Sequence, residues 1–134
     1  MGVGESRVEK EQNGFSFEKL IVYQKSLDFT NTVYDVTLKF PRDEKFSLVD
    51  QFRRAAISIS LNIAEGYGGS HAEFKRYLNI SKGSTRECVA LITIAKMRKY
   101  IDHKEEQELK SFCAELSRML SGLIRSLKFP THNP

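Results

Sequence analysis

The chain has 134 residues, of which 40% are apolar and 28% charged, and it carries a formal net charge of +4. This length suits one domain with a genuine core, and no stretch approaches the run of about 18 apolar residues that a membrane span needs. Residues 1–14 hold no apolar segment of the secretory type, so we expect a cytoplasmic protein that contacts no membrane.

The first predicted helix follows a polar arm, residues 1–15, which we expect to be flexible. Ser16 is placed to cap this helix, and Pro41 ends it after Phe40. Spacings of three, four and seven put one apolar stripe on the helix and a second stripe beside it. The first stripe consists of Val22, Phe29, Val33, Val36 and Phe40, and the second of Tyr23, Leu27, Tyr34 and Leu38.

The second predicted helix, at about residues 48–65, has no charged residue over positions 55–64. A helix packed on one side keeps a polar back. This segment must therefore be covered on more than one side, by the helices of a bundle, by another subunit, or by both. Ser47 with Asp50 resembles a capping box at the start of the helix, and Gly66 suits the left-handed position after its end.

The third predicted helix is the longest, at about residues 71–100, and its apolar residues follow a heptad rhythm. Ser70 with Glu73 forms a second capping box at its start. Gly83 lies inside this helix, where glycine costs up to about 1 kcal/mol relative to alanine. We expect this glycine to permit close helix packing.

The fourth predicted helix begins at Asp102, with Glu105 three residues on, and ends before Pro130. Four long helices joined by short connections predict an all-α fold, an antiparallel up-down-up-down four-helix bundle spanning residues 16–129. Residues 130–134 are expected to form a disordered tail.

Signals for catalysis and for metal binding are weak. The three histidines stand apart, without a partner ligand at helical spacing, so no zinc or di-iron site is expected. Residues 66–69 are glycine-rich but lack the Gly-Lys-Ser/Thr ending of a phosphate-binding loop. Cys88 and Cys113 suit reduced thiols on apolar helix faces. We therefore expect no enzymatic activity, no catalytic residue, no metal and no cofactor.

Two polar residues stand near the end of the uncharged helix. Burial there would require hydrogen-bond partners, so we expect Asn62 to bond to a neighbouring helix. Glu65 is expected to reach an arginine, with Arg53, Arg54 and Arg86 as candidates. The alternative is that both residues line a site at the end of the bundle.

Basic side chains are the remaining candidates for function. A row of cations on a long helix can match the phosphates of a nucleic acid, whereas a solvated basic face merely keeps a protein soluble. For one subunit the solvated face is the simpler interpretation, and repetition of the patch in a ring favours binding. The candidate nucleic-acid-binding residues are Arg53, Arg54, Lys75, Arg76, Lys82 and Arg86, and further cations follow at Lys96, Arg98, Lys99, Arg118, Arg125 and Lys128.

Motifs in the first three helices resemble a known family. They are LIVYQK at residues 20–25, KFP at 39–41, QFRRAA at 51–56, NIAEG at 62–66, and Glu73-Phe74, Tyr77-Leu78, Gly83-Ser84 and Glu87 in the third helix. Over residues 17–128 the chain resembles the bacterial four-helix-bundle proteins encoded within intervening sequences of 23S rRNA genes. Leu61 replaces the small residue usual in that family and Ser60 its usual proline, which predicts a straighter second helix.

The resemblance implies a bundle that assembles into a ring, commonly a homopentamer. Related proteins include the accessory variability determinant of diversity-generating retroelements, which partners a reverse transcriptase and its nucleic acid. One hypothesis is a homo-oligomer that binds RNA or DNA non-specifically, linked to a ribosomal component or to a reverse transcriptase. The other is a structural scaffold for another protein, without nucleic-acid binding, and an enzyme ranks a distant third.

Overall fold

The computed structural model describes residues 15–127, which form four α-helices around one core. The helices are α1 (Ile21–Thr37), α2 (Leu48–Tyr67), α3 (His71–Met97) and α4 (His103–Ser126), with 3-10 turns at Ser16–Lys19 and Arg42–Glu44. α2 packs between α1 and α3, and α4 closes the bundle against α3 and α1. The predicted all-α, antiparallel four-helix bundle is confirmed. The predicted tail and all but the last residue of the predicted arm lie outside the described residues.

The core follows the predicted apolar stripes, because each helix turns one stripe toward the other three. Of the five residues of the first stripe, four are buried and Val36 is half-buried; Phe40, the last of the buried four, lies beyond α1, which ends earlier than predicted, at Thr37. The second stripe remains largely outside the core, with Leu27, Tyr34 and Leu38 exposed. The largest fully buried side chains are Phe29, Phe52, Ile59, Ile63, Leu78, Ile92, Leu116 and Leu120.

The start of α1 differs from the prediction. Ser16 does not cap a long helix; it lies in a 3-10 turn, and Leu20 is extended before α1 begins at Ile21. The ring of Phe17 packs edge-on against Tyr23 at 5.1 Å and Tyr67 at 6.4 Å. These aromatic contacts pack the 3-10 turn against the end of the bundle, at the position where the sequence predicts the first turn of a helix.

The two ends of α2 also differ from the prediction. Ser47 makes no side-chain cap; its hydroxyl donates to Glu44, whose carboxylate instead accepts from the Leu48 amide at 3.4 Å. Gly66 is not a left-handed residue after the helix but a buried residue inside it. A Cβ on Gly66 would lie 2.6 Å from Cβ of Tyr77, so this glycine permits the close approach of α3.

α3 begins as predicted and ends earlier, at Met97. The Ser70 hydroxyl accepts from the Glu73 amide. At the other end Lys99 takes a left-handed conformation, with φ of 66°. The Tyr100 amide bonds the Ala95 carbonyl at 2.9 Å, which completes a Schellman motif with lysine in the position that favours glycine.

Two further predictions can be judged in the same region. The capping box of Asp102 and Glu105 is confirmed, with both reciprocal bonds present. The packing role predicted for Gly83 is wrong, because a Cβ there would meet only the guanidinium of Arg86, at 3.7 Å. α2 runs without interruption from Leu48 to Tyr67, through the uncharged positions 55–64.

Small hydroxyl side chains join α2 to both neighbours. Ser60 bonds Ser26 of α1 at 2.7 Å, and Ser58 bonds Ser84 of α3 at 2.8 Å. The prediction that Asn62 bonds to another helix is wrong, since its amide donates to Ser58 within α2. Glu65 is exposed, and the ion pairs of the described residues do not join it to an arginine.

Candidate nucleic-acid interface

The predicted cations of α2 lie on the flank shared with α1 and are engaged there. Arg53 donates to the Thr37 hydroxyl at 2.9 Å, and its guanidinium lies 4.3 Å from the centre of the Tyr34 ring. Arg54 forms an ion pair with Asp50 at 2.9 Å. These contacts make Arg53 part of the α1–α2 packing and partly neutralise Arg54.

The predicted cations of α3 lie on other flanks. Ser81 and Ser84 bond to α2, which fixes the side of α3 that faces this neighbour. Lys82 and Arg86, which are one helical turn apart, therefore lie toward the opposite side of α3, where Lys82 is half-buried and Arg86 is exposed. Lys75 shares their flank by its spacing, and the Arg76 guanidinium stacks over the Tyr77 ring at 5.0 Å.

α4 adds two arginines that were not among the six predicted site residues. Arg118 and Arg125 line a shallow groove together with Ala114, Ser117 and Ser121. Their seven-residue spacing is visible in the sequence, but the flank they occupy depends on how α4 packs.

The contacts of α4 with α1 settle which flank this is. Glu115 pairs with Lys25 at 3.3 Å, and the Phe112 ring lies 5.2 Å from Phe29. The groove lies on the other side of α4, and the residues that line it all belong to α4. We call the surface formed by Lys82, Arg86, Arg118 and Arg125 the basic face.

Cations outnumber acids along the helix segments that carry the basic face. Residues 73–87 and 114–127 together contain six cations and three acids, Glu73, Glu87 and Glu115, of which Glu115 is paired with Lys25 of α1. An excess of cations creates a positive potential able to attract a polyanion. The basic face therefore has the charge character that binding of phosphates requires.

At the opposite end of the bundle, two cations form ion pairs with acids of α4. Lys110 bonds Glu106 at 3.0 Å, and this hydrogen bond is the largest cause of the lowered pKa of Glu106. Lys39 pairs with Glu105. Balanced charges of this kind leave little net potential for a polyanion.

A separate surface between α1 and α2 carries exposed apolar side chains. Tyr34, Phe46 and Ile57 line one depression, whose lining also includes the charged residues Lys45, Asp50, Arg53 and Arg54; Leu38 is 76% exposed and Phe46 87%. Monomeric proteins rarely expose contiguous large apolar patches. We call this surface the apolar face, formed by Leu27, Tyr34, Leu38, Phe46, Ile57 and Leu61.

The described residues give no sign of metal chemistry or of membrane insertion. Between residues 15 and 127 no group of three His, Cys, Asp or Glu side chains is arranged to hold a metal ion. In the same part of the chain, every helix is too short or too polar to cross a bilayer.

The fold and these surfaces define a small all-α protein built as a four-helix bundle. The family model of the 23S rRNA-intervening sequence proteins matches residues 18–122, and the chain belongs to this family. A solved structure with the same fold is a protein of unknown function from the S23 ribosomal protein family of Bacteroides thetaiotaomicron. The two chains are 23% identical with a TM-score of 0.72, and the match covers 79% of this chain and 96% of the other.

The comparison with curated proteins gave no match. Neither the family description nor the description of the solved structure names an enzymatic activity. The comparisons thus establish the family and the fold, and the function has to be argued from the surfaces of this chain.

Proposed function

We propose that this protein is a non-enzymatic, cytoplasmic homo-oligomer that binds nucleic acid without sequence specificity. The single observation that carries the proposal is the basic face, where four cations stand on two helices in segments whose cations outnumber their acids by six to three. Phosphate contacts of this kind supply most non-specific affinity. Ribosomal RNA is the proposed natural ligand, since the family description names 23S rRNA.

The proposed assembly is a closed ring, and five subunits are what the family resemblance favours. A ring needs two different, complementary surfaces on each subunit. The apolar face supplies one. A stripe on α3, formed by Ile80, Ile94 and Met97, which are 42%, 40% and 69% exposed, is a candidate for the other. A ring would carry one basic face on every subunit, and the positive potentials of these faces would add.

Direct binding tests the proposal. Fluorescently labelled RNA and DNA of equal length are titrated with the full chain at about 50 mM salt, where phosphate contacts are strong. We expect saturable binding of both, with dissociation constants that vary little between unrelated sequences. Absence of binding to either nucleic acid would overturn the proposal.

A scaffold for another protein is the alternative function, and the exposed Phe46 favours it, since a large aromatic side chain on a surface is typical of partner contacts. A reverse transcriptase is one partner that the family resemblance suggests. Affinity capture with and without nuclease distinguishes the two functions. A stoichiometric protein partner that survives nuclease treatment supports the scaffold, whereas loss of all partners with the nucleic acid supports nucleic-acid binding.

A further inference from the structure

A second groove lies in the seam between α1 and α4. Its floor is apolar, with Leu109 buried and Val36 and Phe112 half-buried, and its volume is about 280 Å³. A cavity of about 150 Å³ holds one benzene molecule, so this groove has room for an aromatic side chain. We call it the seam groove, lined by Thr32, Val36, Glu105, Glu108, Leu109 and Phe112.

Phe46 is an aromatic side chain that projects from the apolar face. It is 87% exposed in the connection before α2. The ammonium of Lys45 lies 5.4 Å from the centre of its phenyl group. An aromatic side chain buries about 150–250 Å² when it is covered, so Phe46 is much more stable in an apolar groove than in water. The apolar face thus offers a projecting phenyl group with a cation next to it.

The charges of the two surfaces are opposite in sign. The depression that Phe46 lines contains three cations and one acid, whereas the seam groove contains two acids and no cation among the residues that line it. Glu105 pairs with Lys39. Glu108 is exposed and its ion pair with Lys104 is long, at 4.0 Å. Its carboxylate can therefore accept a second cation, and such complementarity fixes how two surfaces meet.

The two surfaces flank the same part of α1. Tyr34 and Leu38 belong to the apolar face, and Thr32 and Val36 to the seam groove, so both surfaces lie at one height along the bundle. The helices of a bundle run within about 20° of parallel. A contact between the apolar face of one copy and the seam groove of the next therefore turns about an axis along the bundle, with little rise. Repetition of such a contact closes into a ring instead of a filament.

The angle between the surfaces agrees with a small ring. The apolar face lies between α1 and α2 and the seam groove between α1 and α4. These are adjacent sides of a four-helix bundle, about 90° apart. The two contact surfaces of a subunit are inclined by about 90° in a ring of four and by about 108° in a ring of five. The placement of the surfaces thus fits four or five copies.

We propose that Phe46 of one copy inserts into the seam groove of the next copy, with Lys45 beside Glu108 of that neighbour. The inference rests on the proposed assembly and deepens it, because it names the surface that receives the apolar face. Of the two candidates for that surface, the seam groove is favoured over the α3 stripe because its shape and its charge both complement the side chains that project toward it.

The test uses two variants that each disable one surface. Phe46→Asp removes the projecting phenyl group. Val36→Glu places a carboxylate among the apolar residues of the seam groove and keeps a good helix former. Met97→Asp is the matched control, since it removes an exposed apolar side chain from the α3 stripe. Light scattering measures the mass of each protein and circular dichroism its folding, with Thr32→Glu as a second variant of the seam groove.

We expect Phe46→Asp and Val36→Glu each to give a mass near the 15.4 kDa of one chain, and Met97→Asp to keep the wild-type mass. An equimolar mixture of the first two should form a heterodimer of about twice 15.4 kDa. The intact Phe46 of one variant then fits the intact seam groove of the other. The remaining two surfaces each carry an added acid and repel one another.

Three outcomes would overturn the inference in distinguishable ways. If Met97→Asp dissociates the assembly and Val36→Glu does not, the α3 stripe is the second surface and the proposed ring stands. If both surface variants are folded monomers and their mixture is monomeric too, Phe46 and the seam groove do not meet. If the wild type is itself a monomer, the inference fails together with the proposed assembly, whereas nucleic-acid binding is decided by its own titration.

Discussion

At the scale of single residues, Glu44 connects parts of the chain that are far apart in sequence. Its carboxylate accepts from the Ser47 hydroxyl at 2.6 Å and from the Tyr100 hydroxyl at 2.7 Å. The first partner belongs to the α1–α2 connection and the second to the α3–α4 connection. Glu44 thereby fastens both connections at one end of the bundle.

The Glu44 contacts predict a pH dependence of stability. The hydrogen bonds from Ser47 and then Tyr100 lower the pKa of Glu44 below its usual value. A carboxylate whose pKa is lowered by folding stabilises the folded state at pH values above its pKa in the unfolded chain, which is about 4.3. This stabilisation is lost as the pH falls through the lowered pKa of the folded state. Glu44→Gln should therefore flatten the decline in the free energy of unfolding between about pH 5 and pH 3.

Urea denaturation at several pH values measures this difference. Glu108→Gln is the control, because Glu108 is exposed and its ion pair with Lys104 is long, at 4.0 Å. Parallel curves for wild type and Glu44→Gln would mean that the Glu44 contacts contribute nothing specific.

The two thiols give a second prediction at this scale. Cys88 and Cys113 are buried and free; burial raises the pKa of Cys113 to about 12 and also raises that of Cys88. Because the thiolate is the reactive form, the folded protein should not react with an aromatic disulfide reagent at about pH 8 within minutes. Denaturant should release two thiols per chain. Rapid reaction of the native protein would show that the core opens readily.

At the scale of the helices, two glycines have opposite roles. Gly66 stands where a Cβ would lie 2.6 Å from Tyr77, whereas Gly83 has ordinary space around it. Gly66→Ala should destabilise the protein by about 1–3 kcal/mol through overpacking, and Gly83→Ala should stabilise it by up to about 1 kcal/mol through helix propensity. Chemical denaturation measures both, and effects of the same sign would contradict the packing described for α2 and α3.

Periodicity predicted the helices better than their boundaries. The four helices and most of their buried faces follow from apolar spacings, because a helix needs one stripe to pack. The start of α1 depends on Phe17 meeting Tyr67, and the start of α2 depends on Glu44. Glu44 lies only four residues before Leu48 and takes the capping role predicted for Ser47, whereas Phe17 and Tyr67 are distant in sequence, and a contact of that kind leaves no local pattern. The prediction that Gly66 follows the end of α2 is wrong for the same reason, because Tyr77, which packs against Gly66, belongs to another helix.

At the scale of the whole molecule, the apolar face bears on assembly. Leu38 and Phe46 are exposed in the single chain, which a stable solitary monomer rarely tolerates in a contiguous patch. For the proposed ring we expect light scattering to give about five times the 15.4 kDa of one chain. Phe46→Asp should shift the mass toward that of the monomer. A wild-type mass of one chain would contradict the proposed assembly.

The candidate site was partly predictable. Charge and spacing on α3 predict Lys82 and Arg86 as candidates. The sequence predicts Arg118 and Arg125 only as further basic residues of the last helix, because the groove that they line depends on how α4 packs. Charge alone predicts Arg53, and its contact with Tyr34 cannot be inferred from α2 by itself.

The most direct test of nucleic-acid binding through the basic face is the salt dependence of the binding constant. For a single strand held by four cations, the slope of log K against log salt concentration should be about −3. The double variant Arg118→Gln/Arg125→Gln, which removes two of the four cations of the basic face, should halve this slope. A slope near zero for wild type would show that phosphate contacts do not hold the ligand, and would contradict the account.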